Sequence, residues 1–491
     1  MMNTKKTDKK LTKNYFFNLI YQIVAIIIPL ITAPYLSRTL LVEGVGKYAF
    51  TFSIANFFTI FAALGFSTYG QREIANAKND KNKMSIIFFE IIIARFISTI
   101  LSLTINILLA LFLVYKSYSK IMLIWSLLIL STTFDINFLF QGNEDFIKIV
   151  SKNLFIKIIS IILIFTFVKT ENDLWVYVLI YSASNLIGNL SLWINAKKYI
   201  NKVKMCDLHP FERMKPAIKL FIPTIATSLY VYLDKAMIGV LSSNADFENG
   251  CYEQAEKIVK MATTIIVSLG TIMIPRNSQL VSMNKIDDLK KNINFAINYV
   301  WMLGLPMMFG LIAISNNFIP WFLGDNFEKS SILMRILSPL TIFMGFGNVF
   351  GLQLLVPMRK DNEWTKCIVI GFCSNIFLNI LLIPFLGAYG ASISTISSEF
   401  IVAFGMLLCC KDILSIKQVI KSSFKYFIAS VIMFIPISII SYFLTPSILN
   451  TLIIVICGFI IYLLVIITLK DNYIFPLFKI IINKLKEKVK K

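Results

Sequence analysis

Acids and bases recur inside runs that are otherwise apolar. Asp234 and Lys235 interrupt "SLYVYLDKAMIGVL" at 228–241, and Glu253, Glu256, Lys257 and Lys260 follow in the next apolar run. Glu90, Arg95, Asp135, Lys157 and Glu399 stand in others. A charge at mid-bilayer costs roughly 2.5–3.5 kcal/mol on insertion scales, so such residues face a partner or a watery cavity. Cations placed there can hold a diphosphate through charge-assisted hydrogen bonds, an arginine in bidentate fashion. A plainer role is also open to the same residues, as ion pairs that join helices, Arg95 with Asp135 and Asp234 with Lys257. The deep acids outnumber the deep bases, so counting alone does not make a cationic lumen.

Spacing sharpens the reading. Glu253, Lys257 and Lys260 follow an i, i+4, i+7 pattern that puts all three on one helix face. At the helical rise, Asp234 lies about 10 Å, Lys257 about 8 Å and Lys260 about 12 Å below the outer ends of their spans. They share a level, as the wall of a central cavity would. Arg95 and Lys157 fall near mid-membrane, and Asp135 in the inner third. Ser182, Ser184, Asn185 and Asn189 on one span, and Ser374, Asn375 and Asn379 on another, suit sugar hydroxyls or interhelical hydrogen bonds.

The elements that position these groups follow from composition. The 491 residues are 57% hydrophobic and 15% charged, with mean hydropathy +0.74, far from the balance of a soluble domain. This is the profile of an all-α polytopic membrane protein. Fourteen apolar segments, near 15–36, 48–68, 85–115, 121–140, 146–168, 174–195, 217–241, 252–275, 292–315, 331–357, 365–386, 388–410, 424–444 and 451–469, are each long enough to cross a bilayer. The span at 331–357 reads as one long helix or a broken one.

The net charge of +21 would suggest nucleic acid in a soluble protein, but its placement argues otherwise. With an inside N-terminus, the inside segments hold 35 of the 48 Lys and Arg and the outside loops hold six. That bias predicts both termini on the cytoplasmic side of the membrane, and no nucleic-acid partner. The apolar run after "KKTDKKLTK" is too long for a signal peptide and reads as an uncleaved first span. Seven cysteines without C-x-x-C spacing indicate neither a disulfide framework nor a zinc site, and the single histidine, His209, reads as a solvated loop residue.

Organisation follows from the connection at 196–216, which separates six spans from the next six. An even number makes both halves enter the membrane in the same sense, as in a parallel repeat about an axis along the membrane normal. Gly46-Lys47-Tyr48 and Gly250-Cys251-Tyr252 lie 204 residues apart, as do Arg72 and Arg276. The expected architecture is an N-terminal six-helix lobe (1–195), a cytoplasmic linker (196–216), a C-terminal six-helix lobe (217–410), and two extra helices with a basic tail (411–491). The tail "PLFKIIINKLKEKVKK" at 476–491 suits a helix on an anionic inner leaflet, or a solvated tail.

Four stretches carry a resemblance: "PYLSRTLLVEGVGKYAFTFSIANFF" at 34–58, "DINFLFQGNEDF" at 135–146, "FIPTIATSLYVYLDKAMIG" at 221–239 and "YEQAEKIVKMATTIIVSLGTIMIPR" at 252–276. In this order they resemble the bacterial polysaccharide-repeat flippases (O-antigen, capsule and other lipid-linked oligosaccharides) of the multidrug/oligosaccharidyl-lipid/polysaccharide exporter superfamily. "LLVEGVG" lacks the family's usual glycine-and-proline loop, and Phe138 stands where tryptophan is common. The resemblance implies a two-lobe, fourteen-helix transporter. It would move undecaprenyl-diphosphate-linked oligosaccharide from the cytoplasmic to the outer leaflet by alternating access, with no enzymatic step and no cofactor. It implies diphosphate contact by Arg38, Arg95, Lys257, Lys260 and Arg276, and ion coupling (H+ or Na+) or charge pairing by Asp135, Asp234, Lys235 and Glu253. Membrane lipids and the polysaccharide polymerase machinery are the further partners it suggests.

Rival readings are a drug/cation antiporter of the same superfamily, which Asp135 and Glu399 permit, and a flippase for the peptidoglycan lipid precursor. A membrane-embedded polymerase would need an extended outer loop, and "NNFIPWFLGDNFEKS" at 316–330 offers only Asp325 and Glu328. "GVGK" at 44–47 is too short for a phosphate-binding loop of an ATPase.

Overall fold

The structure is a computed structural model that describes residues 2–113, 116–471 and 473, with side chains described throughout except at 2–26, 113, 116 and 222–229. The basic tail at 476–491 lies outside the described residues. Contacts gather the chain into two units, Met1–Val240 with Ala245–Gly250, and Leu241–Asn244 with Cys251–Lys491.

In the first unit, α1 (Met2–Ala63) contains Pro29 and Pro34 and is kinked at Leu41, whose φ of 57° and ψ of −178° divide it into two limbs. A break at Leu64 and Gly65, both at positive φ, leads into α2 (Phe66–Asn76). Glycine is needed at 65, because a Cβ there would come within 2.6 Å of the Ala217 carbonyl oxygen. Helix α3 (Lys81–Leu108) is capped by Asp80, whose carboxylate accepts from the Asn82 and Lys83 amides, both at 3.0 Å. Then come α4 (Ser119–Thr133), α5 (Asn137–Gly142), α6 (Phe146–Phe167), α7 (Leu174–Ala196) and α8 (Pro210–Leu241).

The chain continues through α9 (Ala245–Val267), α10 (Gly270–Ser282), α11 (Ile286–Leu323), α12 (Glu328–Leu337), α13 (Leu340–Gly347), a π-helical stretch at Asn348–Leu355, α14 (Asp361–Leu386), α15 (Ala388–Cys409), α16 (Ile416–Phe443) and α17 (Ile448–Thr468). The core of the second unit is apolar side chains such as Ile293, Val300, Phe346, Phe350, Met406 and Tyr426, from α11 through α16.

Ten helices among the described residues are long and apolar enough to cross a membrane, or eleven when the pair Asp325–Leu337 and Leu340–Leu355, bent by 48°, counts as one broken span. That bent pair covers the 331–357 segment. Kinked α1 carries two of the apolar segments, and α7 and α8 carry two more, so fourteen crossings are compatible with the helices present.

The repeat is written in the helix boundaries. The second limb of α1 ends at Ala63 and α9 at Val267, and α2 begins at Phe66 and α10 at Gly270. Helix α4 ends at Thr133 and α12 at Leu337. Each of these pairs is separated by the same 204 residues. A cation–π contact at helix starts recurs as well: Lys120 Nζ lies 4.0 Å from the Trp175 ring centre, the two being the second residues of α4 and α7. Lys329 and Tyr389, the second residues of α12 and α15, lie 4.4 Å apart.

Candidate functional site

In the second unit the charged face sits on α9, which Tyr252 and Cys251 hold in place. The Tyr252 hydroxyl meets Thr395 Oγ1 at 3.0 Å, and Ser330 Oγ donates to the Cys251 carbonyl at 2.9 Å. These bonds tie α9 to α15 and α12. Lys260 Nζ lies 2.6 Å from Glu256, and Lys257 Nζ 3.5 Å from Glu253, each an i, i+4 pair with the acid on the N-terminal side. The lysine side chains are about one-third exposed, 32% and 34%, whereas the carboxylates are buried. Two cations on one helix face, each balanced by a carboxylate of its own helix, can exchange that partner for an incoming anion.

Arg38 and Arg276 are exposed, on α1 and α10. Asp234 and Lys235 are buried on α8, and the Lys235 carbonyl accepts from Asn249 Nδ2 at 3.0 Å.

Arg95 takes a different place. It is 1% exposed, and its guanidinium fills the break between α4 and α5. Nη1 donates to the Asp135 carbonyl and, at 3.3 Å, to the Thr132 carbonyl; Nη2 donates to Ser67 Oγ at 3.2 Å. The guanidinium carbon lies 5.4 Å from the centre of the Phe138 ring. Asp135 therefore meets Arg95 through its main chain, while its carboxylate accepts from the Asn137 amide at 2.9 Å and starts α5. Neighbouring carbonyls are used too, Ser131 by Asn189 Nδ2 at 2.9 Å and Phe134 by Trp193 Nε1 at 3.0 Å. A helix that ends inside a span leaves carbonyls without partners, and a cation at its C-terminus also complements the helix dipole.

Glu90, 2% exposed, accepts from Arg213 Nε at 2.6 Å and from the His209 amide at 2.8 Å. His209 thus contributes through its backbone. Beside it, the Tyr199 hydroxyl donates to Asp145 at 2.7 Å. Burial, with that bond to a carboxylate, pushes the Tyr199 hydroxyl well above the ordinary tyrosine range.

One group escaped the charge-led reading of the sequence. Tyr48 and Phe52 of α1, Tyr181 of α7 and Tyr232 of α8 are half-buried around Trp125 of α4. Ring centres lie 5.2 Å apart for Tyr48–Phe52, 5.5 Å for Phe52–Tyr181 and 6.0 Å for Phe52–Tyr232. Trp125 is fixed by donating to Thr51 Oγ1 at 3.0 Å. The i, i+4 spacing of Tyr48 with Phe52 and of Tyr177 with Tyr181 was the available signal.

A family model described as "Polysaccharide biosynthesis protein" matches residues 11–281. The chain is 26% identical over 427 residues to a protein of Escherichia coli (strain K12) named "Putative O-antigen transporter", covering 84% of this chain and 99% of that one. A protein of the same name from Shigella dysenteriae is 23% identical over 388 residues, 78% of this chain and 96% of its own. Among solved structures, "Lipid II flippase MurJ, inward closed conformation" matches with a TM-score of 0.75 and 15% identity over 93% of this chain and 98% of that chain. An inward-facing multidrug resistance transporter of the MATE family and MOP superfamily gives 0.60, with 13% identity over 81% and 99%. These likenesses fix the fold.

Proposed function

This chain belongs to the polysaccharide biosynthesis protein family, and we propose that it is a flippase for lipid-linked oligosaccharide repeat units in surface polysaccharide export. The observation that carries this reading is the match along 99% of an O-antigen transporter's length, joined to a helix face that presents two exchangeable cations. The substrate is an oligosaccharide on undecaprenyl diphosphate, taken from the cytoplasmic leaflet of a bacterial inner membrane and released at the outer one. Both chain ends are cytoplasmic in this reading, which the distribution of lysine and arginine supports.

Lys257 and Lys260 hold the diphosphate, and Arg38 and Arg276 are the further cations of this reading. An arriving anion displaces Glu253 and Glu256 as the lysines' partners; those carboxylates take up a proton as the lysines pass to the diphosphate and give it up at release, when they reclaim the lysines, which couples the cycle to H+, with Na+ as the other candidate ion. Asp234 and Lys235 adjust the charge of the same path. Arg95 and Asp135 act earlier in the causal chain, holding the α4–α5 break open as a fixed shape. The aromatic group around Phe52 stacks on sugar rings. The lobes 1–195 and 217–410 alternate about the linker 196–216, with 411–491 appended. The protein makes and breaks no covalent bond, and hands its cargo to a polymerase.

The test is export in a strain deleted for this protein. Re-expression is expected to clear the accumulated lipid-linked repeat unit and restore surface glycan without changing drug resistance. Restored drug efflux with no restored glycan would replace the reading with an antiporter.

A further inference from the structure

A separate feature lies between α6 and α7 in the first unit. It is a groove of about 250 Å³, lined on α6 by Phe155, Ile156, Ile159 and Leu163 and on α7 by Ile180 and Ile187. Its walls are mostly apolar, with Ser184 and Ser191 among them, and Lys152 is the one charged side chain of the lining. Gly188 makes the two helices fit closely, because a Cβ there would collide with the Ile156 side chain.

Lys152 is unlike the other lysines described above. Its ammonium donates to Asn189 Oδ1 at 3.1 Å, a neutral acceptor, and no carboxylate lies within ion-pair distance among the described residues. Asn189 in turn is held by its bond to the Ser131 carbonyl, so the lysine is aimed by a fixed partner. It stands six residues past the start of α6 at Phe146, about 9 Å along the helix, within reach of the interface for a side chain that extends toward water. Lys148, one turn closer to that end on the same face, is paired with Asp145 at 3.4 Å. The stripe is therefore cation, cation, then apolar groove.

We infer that the groove between α6 and α7 is a binding site for an anionic phospholipid of the inner leaflet, with its phosphate on Lys152 and one acyl chain along Ile156, Ile159 and Ile187. The apolar channel fits an acyl chain, and an ammonium with no carboxylate in ion-pair distance, Asp135 acting on it only from farther off, favours a headgroup with net negative charge. Zwitterionic phosphatidylcholine brings its own cation and gains less. This site is independent of the flippase reading, since it needs only a membrane protein in an anionic leaflet.

Native mass spectrometry of the full-length protein, with phosphatidylglycerol and phosphatidylcholine of identical chains, tests the inference. Wild type is expected to retain phosphatidylglycerol at least about fivefold better, Lys152→Arg to keep the preference and Lys152→Gln to lose it. Ile187→Trp, which fills the groove, is expected to weaken both lipids alike. An unaltered preference in Lys152→Gln, or equal retention of the two lipids by wild type, overturns the site. Displacement of phosphatidylglycerol by stoichiometric polyprenyl diphosphate overturns it differently, by assigning the groove to the transported lipid.

Discussion

Arg213, in the first turns of α8, reaches Glu90 in the apolar stretch of α3, with Nε 2.6 Å from Oε2. The other carboxylate oxygen of Glu90 receives the His209 amide, so both oxygens of a buried acid are bound by the end of the 196–216 connection. Further along, the Asn201 amide donates to Ser85 Oγ at 2.8 Å, and Tyr199 is held by Asp145. The connection is seated on the first unit at three points. These contacts fix where α8 begins.

Removing Arg213 leaves a buried carboxylate with one remaining donor, and losing a hydrogen bond to a charged group costs about 1.5–3 kcal/mol. Arg213→Ala is therefore expected to lower the thermal unfolding midpoint by several degrees in detergent, while Glu90→Gln with Arg213→Gln together costs less than the two single changes added. Additive losses in that double-mutant cycle would show that the two side chains do not interact.

A different pair of contacts joins α1 to α9. A Cβ on Gly46 would run into the backbone carbonyl of Asp246, and a Cβ on Gly250 into that of Val42. Residues 42 and 246, like 46 and 250, are 204 apart in the sequence, and all four lie in the first unit, where the two contacts are made. Backbone cannot rotate away as a side chain can, so Gly46→Ala and Gly250→Ala are each expected to destabilise by about 1–3 kcal/mol. Their effects should fall short of adding, since either one opens the same seam. Circular dichroism melts of the three variants measure this, and a Gly46→Ala protein as stable as wild type would mean the seam is loose.

Much of the architecture was legible because the bilayer imposes long apolar runs. The repeat was visible in Gly46 and Gly250 because close backbone approach tolerates no other residue. The face of Glu253, Lys257 and Lys260 was legible from helical spacing, and their pairing to acids one turn back follows from the same geometry. What escaped the sequence depends on long-range closure. Arg95 and Asp135 are 40 residues apart, and nothing in the chain tells whether the arginine meets a carboxylate or a carbonyl. That choice is set by the α4–α5 break, which no proline or glycine marks in "STTFDINF". Glu90 likewise finds its partner 123 residues away, in the first turns of α8.

The α4–α5 break makes a distinction that can be measured. If Arg95 serves the fold, Arg95→Ala strips donors from the Thr132 and Asp135 carbonyls and should cost about 2–4 kcal/mol. Arg95→Lys keeps the charge but loses the planar fork, and should fall between the two. Affinity for a diphosphate lipid, measured on the fraction of Arg95→Lys that stays folded, is expected to match wild type. A stable Arg95→Lys protein with affinity reduced tenfold or more would move Arg95 from the frame of the protein to its substrate site.

Lys260 offers the opposite pattern, since its side chain is one-third exposed and its ion pair with Glu256 is local to one helix. Lys260→Ala should leave the unfolding midpoint within about 1 °C, because a single partly exposed i, i+4 pair contributes only a few tenths of a kcal/mol. Diphosphate affinity should nevertheless fall roughly 10- to 100-fold, the loss of one charge-assisted hydrogen bond worth about 1.5–3 kcal/mol. Glu256→Gln tests the exchange of partners from the other side. With its competitor neutralised, Lys260 should bind diphosphate more tightly while turnover slows, because the carboxylate that would reclaim the lysine at release is gone. Tight binding with unchanged turnover would show that Glu256 takes no part in letting the cargo go, and would place the coupling step at another acid such as Glu253 or Asp234.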